Sequence, residues 1–149
     1  MKIFTIGYQG WRSHELVVEL KTHNVEMLID VRSRPYSKKA EFNKPFISKT
    51  MEEAGISYRW AGRWLGGMQG DLTYDQIREL EKYQEALGRL VERIKTGQVI
   101  CIMCMERNPF QCHRLGLIGV DLEKRDVQVI HLGYNGRKPE KKVEQKGLF

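Results

Sequence analysis

Gln98 to Arg125 reads QVICIMCMERNPFQCHRLGLIGVDLEKR, and this stretch decides the fold. Gln98 to Cys104 is an apolar run of strand length. Met105 to Gln111 is a polar turn containing Pro109, and a helix opens near Cys112-His113-Arg114 and runs to about Lys124. A strand, a short turn and a helix in that order form the core of a βαβ unit, which implies a parallel sheet. All three cysteines lie here with one of the four histidines and with Glu106, Arg107 and Arg114. The segment that fixes the fold therefore also holds most of the reactive side chains.

Outward from this unit the pattern repeats. Lys2 to Gly7 is an apolar run ending at a glycine, as a buried strand entering a tight turn does. Ser13 is placed to cap a helix whose Leu16, Val17 and Leu20 share a face and which ends near Thr22 to Asn24. Glu26 to Arg32 is a second strand, with Asp30 and Arg32 two residues apart and so on one side of the pleat at its carboxyl end. Pro45 opens a short helix to Ala54 that Gly55 closes, and Ile56 to Ala61 is a third strand. Leu65-Gly66-Gly67 and Gly70 form a loop able to approach a ligand closely. Thr73 and Gln76 make a capping box for a helix that the spacing of Ile77, Leu80, Tyr83, Leu87, Leu90, Val91 and Ile94 carries to Lys95, with Gly97 at its end. Val127 to Leu132 is the fifth strand.

Five strands alternating with helices predict a three-layer, Rossmann-like α/β fold: a mostly parallel five-stranded sheet with helices on both faces and right-handed crossovers. The order 3-2-1-4-5 is expected. It would set Tyr8 across a crevice from Glu106 with Arg114 beside both. The chain is expected to form one domain over residues 1–132 followed by a basic tail, 133–149.

The 149 residues carry a net charge of +6 and a sequence pI of about 9.3, which favours an acidic partner: nucleic acid, a nucleotide or another phosphate-bearing ligand. Half of that excess lies in the tail, where Arg137, Lys138, Lys141, Lys142 and Lys146 face only Glu140 and Glu144, and such a tail is also simply a solvated one. No membrane span or export signal is read, and the odd cysteine count fits a reducing cytoplasm. The sequence sets no oligomeric state.

In an open parallel sheet, ligands bind beyond the carboxyl ends of the strands. Gly7 and Tyr8, Asp30 and Arg32, Gly66 and Gly67, and Cys104 with Glu106 all fall at such ends. Arg114 sits at a helix start, where a cation costs about 0.3–1 kcal/mol against the macrodipole. Two readings meet there: an anion site, or a structural pairing with Asp30 or Glu106. Cys104 and Cys112 are candidate nucleophiles, because a helix start and an adjacent arginine lower a thiol pKa from about 8.5 into the range of about 3.5–7.5. His113 or Glu106 would then be the base; the competing reading makes the cysteines buried apolar filler.

No cofactor is expected. Cys101-x-x-Cys104 with Cys112-His113 resembles a zinc set by spacing, but residues three apart on a strand point to opposite faces. Cys101 to Arg107 also matches C-x5-R, the phosphatase phosphate-loop pattern, yet it reads as strand and has no glycine. Trp11, Trp60, Trp64, Tyr8 and Tyr58 offer either stacking faces or packing.

Thr5-Ile6-Gly7-Tyr8, Asp30-Val31-Arg32-Ser33-x-Pro35-x-Ser37, Leu65-Gly66-Gly67, and Cys104-x-Glu106 followed by Cys112-His113-Arg114 together resemble the uncharacterised family catalogued as domain of unknown function 488. The resemblance spans roughly residues 3 to 132 and implies a small α/β domain with these residues at its site. The leading expectation is an enzyme, a hydrolase or group transferase acting on a phosphate-bearing substrate. In it Arg32 and Arg114 hold the anion, Asp30 and Glu106 do acid–base work, and Cys112 or Cys104 attacks. The alternatives are a nucleic-acid-binding module without catalysis, and a thiol/redox protein that requires the Cys104 and Cys112 Cα atoms to lie within about 7 Å.

Overall fold

The computed structural model describes residues 1–134 of the chain; the expected basic tail lies outside the described residues apart from Gly133 and Tyr134. Five strands form one parallel sheet: β1 (Lys2–Gly7), β2 (Met27–Asp30), β3 (Ser57–Trp60), β4 (Ile100–Cys104) and β5 (Gln128–His131). Helices α1 (Ser13–Thr22) and α2 (Lys44–Glu53) follow β1 and β2. Helices α3 (Gly62–Leu65), α4 (Tyr74–Arg78) and α5 (Glu81–Lys95) follow β3, and α6 (Val120–Glu123) follows β4. Among the described residues no helix is long and apolar enough to cross a membrane.

The alternation of the strands sorts two cores. Phe4, Ile6, Leu28, Cys101 and Met103 pack with Leu16 and Leu20 of α1 and Ile47 and Met51 of α2. Ile3, Ile29, Ile100, Ile102 and Cys104 pack with Leu87, Leu90 and Ile94 of α5 and with Leu117, Ile118 and Leu122. The expected three-layer α/β architecture is thus present. Cys101 and Cys104 lie in opposite cores, on opposite faces of the sheet.

The strand order is β3-β2-β4-β1-β5, which corrects the expected 3-2-1-4-5: β4, not β1, lies beside β2. Both strands are apolar and both are compatible with right-handed crossovers, so pattern alone does not rank them. The central place goes to β4, buried at all five positions, whereas β1 starts at exposed Lys2. The site is consequently centred on the end of β4, with β2 on one side and β1 on the other.

Three local expectations are also corrected. The helix expected from Thr73 to Lys95 is two helices, because Leu80 is extended (φ −73°, ψ 130°) and caps α5 while the Gln84 side chain donates to the Arg78 carbonyl at 2.7 Å. The apolar spacing survives this bend, so periodicity did not reveal it. Ser13 is the first helical residue rather than the cap; the Arg12 N–H is taken by Glu15 at 2.7 Å. The helix expected from Cys112 to Lys124 opens as a π-helix, Arg114–Gly119, before α6. Widened turns of this kind recur at functional sites. The Thr73–Gln76 capping box is as expected, and Gly55 and Gly97 adopt φ of +78° and +90° after their helices.

Candidate functional site

Beyond the carboxyl end of β4 lies a cavity of about 320 Å³, at the lower end of small-molecule sites. Tyr8, Arg32, Gly67, Cys104, Glu106, Cys112 and His113, all expected at the site, line it. Ser33, Arg34, Tyr36, Met68 and Tyr74 complete much of its wall. Asp30 and Arg114 lie beneath this surface, and Gly7 and Gly66 act through backbone packing.

Asp30 has no exposed surface, and its carboxylate is filled by donors. Oδ1 accepts from the Arg32 backbone N–H at 3.1 Å and from Arg32 Nε at 2.9 Å; Oδ2 accepts from Arg32 Nη2 at 2.7 Å and from the Tyr58 hydroxyl. Burial works against the Arg32 charge, yet the bonds and charge of Asp30 outweigh it and raise its pKa. Burial and the adjacent Asp30 charge likewise push the Tyr58 phenol up. Arg32 Nη1 reaches the Tyr8 hydroxyl at 3.4 Å and its guanidinium stands 5.2 Å from the Tyr8 ring centroid. The pair that the sequence set at the end of one strand is therefore a closed ion pair in the cavity floor.

Arg114 is the largest fully buried side chain. Nε donates to Cys104 Sγ at 3.0 Å, Nη1 to Thr5 Oγ1 at 2.8 Å, and Nη2 to the carbonyls of Glu106 at 2.7 Å and Arg107 at 2.9 Å. Its backbone N–H points at Cys112 Sγ at 3.5 Å. No carboxylate is among these hydrogen-bond partners, and burial pushes the guanidinium down to about 10. Of the two readings of Arg114, its structural role is visible, though its partners are carbonyls, a hydroxyl and sulfur rather than Asp30 or the Glu106 carboxylate. His131 Nδ1, 3.3 Å from Nη1, is held neutral: burial and the Arg114 charge bring its pKa to about 4.

The sulfurs of Cys104 and Cys112 meet in direct contact. Their Cα atoms are 7.6 Å apart, wider than the roughly 7 Å within which a disulfide closes without backbone movement. That separation favours a pair of thiols over a closed bridge, and it exceeds the limit that the thiol/redox reading required. His113 Nε2 is 2.9 Å from the Val31 carbonyl and must donate to it, leaving the Nδ1 lone pair toward Cys112 Sγ at 3.7 Å. Burial lowers the His113 pKa, so the ring is a neutral acceptor.

The glycines allow close approach. A Cβ on Gly7 would strike the Glu106 carbonyl, one on Gly66 the Ser33 side chain and the Gly62 carbonyl, and one on Gly67 the His113 ring. Cys104 Sγ, Cys112 Sγ and a Glu106 carboxylate oxygen lie within 4.8 Å of one another, a ligand set that the Cys101-x-x-Cys104 spacing did not suggest.

Sequence reasoning missed Arg34, placed Thr5 at the site only through the family resemblance and without a role, and gave Tyr58 only a stacking or packing role. Thr5 carried a signal, as a polar residue inside the apolar run Ile3 to Ile6 needs a buried partner. Arg34 carried none, because an exposed arginine in a loop resembles any other.

Fold and site together define a parallel α/β protein whose ionisable and thiol side chains converge over its central strand. Residues 12–120, more than half of the chain, match the model of a family described as domain of unknown function DUF488, and the chain belongs to that family. No curated protein and no solved structure matches it.

Proposed function

We propose that this protein is an enzyme, a hydrolase or group transferase, that attacks a phosphate-bearing substrate with a cysteine thiolate. One observation carries this reading: Arg114, fully buried and without a hydrogen-bonded carboxylate, donates to both site sulfurs. A buried cation requires an anion close by, and a negative charge shared by the contacting thiols of Cys104 and Cys112 supplies it. Cys112 is the attacking sulfur, since it faces the His113 Nδ1 lone pair. Cys104, bonded to Arg114 Nε, positions the charge.

In the reaction, Cys112 Sγ bonds to the electrophilic centre as the leaving-group bond breaks. The thiol proton passes to His113 Nδ1 and from there to the leaving group. Water activated by the Glu106 carboxylate, or an acceptor hydroxyl, then releases the group from sulfur. Arg32 and Asp30 hold the floor rigid. The substrate anion is met by Arg34, exposed at the cavity wall with no side-chain partner among the described residues. Tyr36 and Tyr74, 69% and 38% exposed, offer planar faces beside it.

The test is turnover of nucleotides and phosphorylated oligonucleotides by wild type, Cys112→Ser and Cys104→Ser, with mass spectrometry of the protein quenched during turnover. A covalent adduct on Cys112 and loss of turnover in Cys112→Ser support the reading; full turnover by Cys112→Ser defeats it.

A second reading is favoured by the Cys104, Glu106 and Cys112 cluster. Two thiolates and a carboxylate around a divalent ion such as zinc leave one negative charge, which Arg114 balances, and a fourth position open to the cavity. Metal analysis separates the two. Stoichiometric zinc that disappears in both serine variants would make the sulfurs ligands rather than nucleophiles.

A further inference from the structure

A second cavity, of about 270 Å³, lies between the edge strand β3 and helix α5. Met27, Ile29, Leu65 and Leu90 form an apolar floor, and Trp64 lines the same groove, whereas the Trp60 ring is covered by Lys44 of α2 at 4.9 Å from its centroid. Four cations surround it, Arg59 from β3 with Lys82, Arg89 and Arg93 from α5, against the single acid Glu85. Arg12, Arg32, Arg78 and Lys95 each sit in an ion pair. Among the described residues none of the four groove cations has one. Trp64 is 42% exposed, although an aromatic ring with no partner gains by being covered.

We infer that this groove binds single-stranded nucleic acid, with a base stacked on Trp64 and phosphates held by the four cations. The charge complementarity selects a polyanion, and the exposed indole of Trp64 beside an apolar floor selects one with accessible planar bases, which a duplex withholds. The elements that line the groove run directly into those that line the site described above. Trp60 Nε1 donates to the Arg32 carbonyl at 2.8 Å, and α3 gives Trp64 and Leu65 to the groove immediately before Gly67 and Met68 enter the first cavity. A strand lying in the groove would therefore carry a neighbouring nucleotide toward Cys112. That last step rests on the proposed function; binding in the groove does not.

Anisotropy of a labelled oligothymidylate with the full-length protein tests it, with heparin and a duplex as competitors. Micromolar or tighter binding is expected. Trp64→Ala should weaken it by roughly five- to hundredfold, the range for loss of one stacked base, without changing heparin affinity. Each lost phosphate contact lowers the salt slope by about 0.7, so Arg89→Ala with Arg93→Ala should lower it by about 1.4. The variants alter exposed residues, and their melting temperatures report folding. The inference is overturned by absence of binding, by unchanged affinity in Trp64→Ala, by preference for duplex, or by binding lost on truncation after Gly133 but not in the groove variants. Cys112→Ser separates the two proposals: it should abolish turnover and leave oligothymidylate affinity intact. Turnover of a mononucleotide without groove binding would sink only the groove.

Discussion

Replacing Arg114 by Met keeps an unbranched apolar stem and removes the guanidinium with its charge and its donors. The variant loses bonds to Cys104 Sγ at 3.0 Å, Thr5 Oγ1 at 2.8 Å, and the Glu106 and Arg107 carbonyls at 2.7 and 2.9 Å, all around a side chain with no solvent access. Each buried acceptor left without a donor costs about 1–3 kcal/mol, and the proposed thiolate left without its counter-ion would cost more. These terms share one side chain and are not additive. A total of about 3–5 kcal/mol, the usual cost of breaking a buried charge pair, is expected. Urea denaturation at neutral pH measures it, and a double-mutant cycle with Cys104→Ala isolates the arginine–sulfur term. A coupling above about 1 kcal/mol is predicted, because the two groups touch. A loss under about 1 kcal/mol in Arg114→Met, or additivity in the cycle, would refute the claim that Cys104 answers the buried charge.

Asp30→Asn removes the carboxylate from a wholly buried pair and should destabilise the protein by about 3–5 kcal/mol in the same assay, more than Tyr58→Phe, which deletes one bond. Gly67→Ala should lower both turnover and stability, because its Cβ would fall 2.7 Å from His113 Cβ, at the root of a side chain held to the Val31 carbonyl; Gly7→Ala meets backbone at Glu106 and should lower both further. His131, with a folded pKa of about 4 against an ordinary 6.5, binds fewer protons folded than unfolded between those values. Stability is therefore unaffected by this group above pH 6.5 and declines as pH falls toward 4. The loss is on the order of 2 kcal/mol after allowing for partial exposure, and His131→Gln should show correspondingly less acid sensitivity in denaturation midpoints at pH 7 and 4.5.

Much of the site's position was legible in the sequence because strand alternation and strand ends are local properties. The run Ile100 to Cys104 announced its own burial, and Asp30 and Arg32, two apart, lay on one side of the pleat. What Arg114 does was not legible. Its partners come from β1, from the end of β4 and from the loop after it, and only the folded chain brings Thr5 to a residue 109 positions away. The exchange of β1 and β4 was hidden for a related reason: two apolar strands of similar length satisfy the same local rules, and the choice between them is made by packing across the sheet. The convergence of Cys104 and Cys112 depends on the path of the intervening loop, which carries Pro109 and a short turn of 3-10 helix at Pro109–Gln111. The groove between β3 and α5 was not legible because only the fold sets Arg59 and Trp64 beside the helix that carries Lys82, Arg89 and Arg93.

The central claim, that Cys104 and Cys112 form an activated thiol pair, is tested most directly by alkylation of the unreduced wild-type protein with iodoacetamide across pH, with the modified residue mapped by mass spectrometry. The account predicts rapid modification of Cys112 with a midpoint well below the ordinary thiol value of about 8.5, while Cys101, buried in mid-strand with its thiol pushed up by burial, stays unmodified. No modification until a reductant is added, or modification only above pH 8.5, would contradict it.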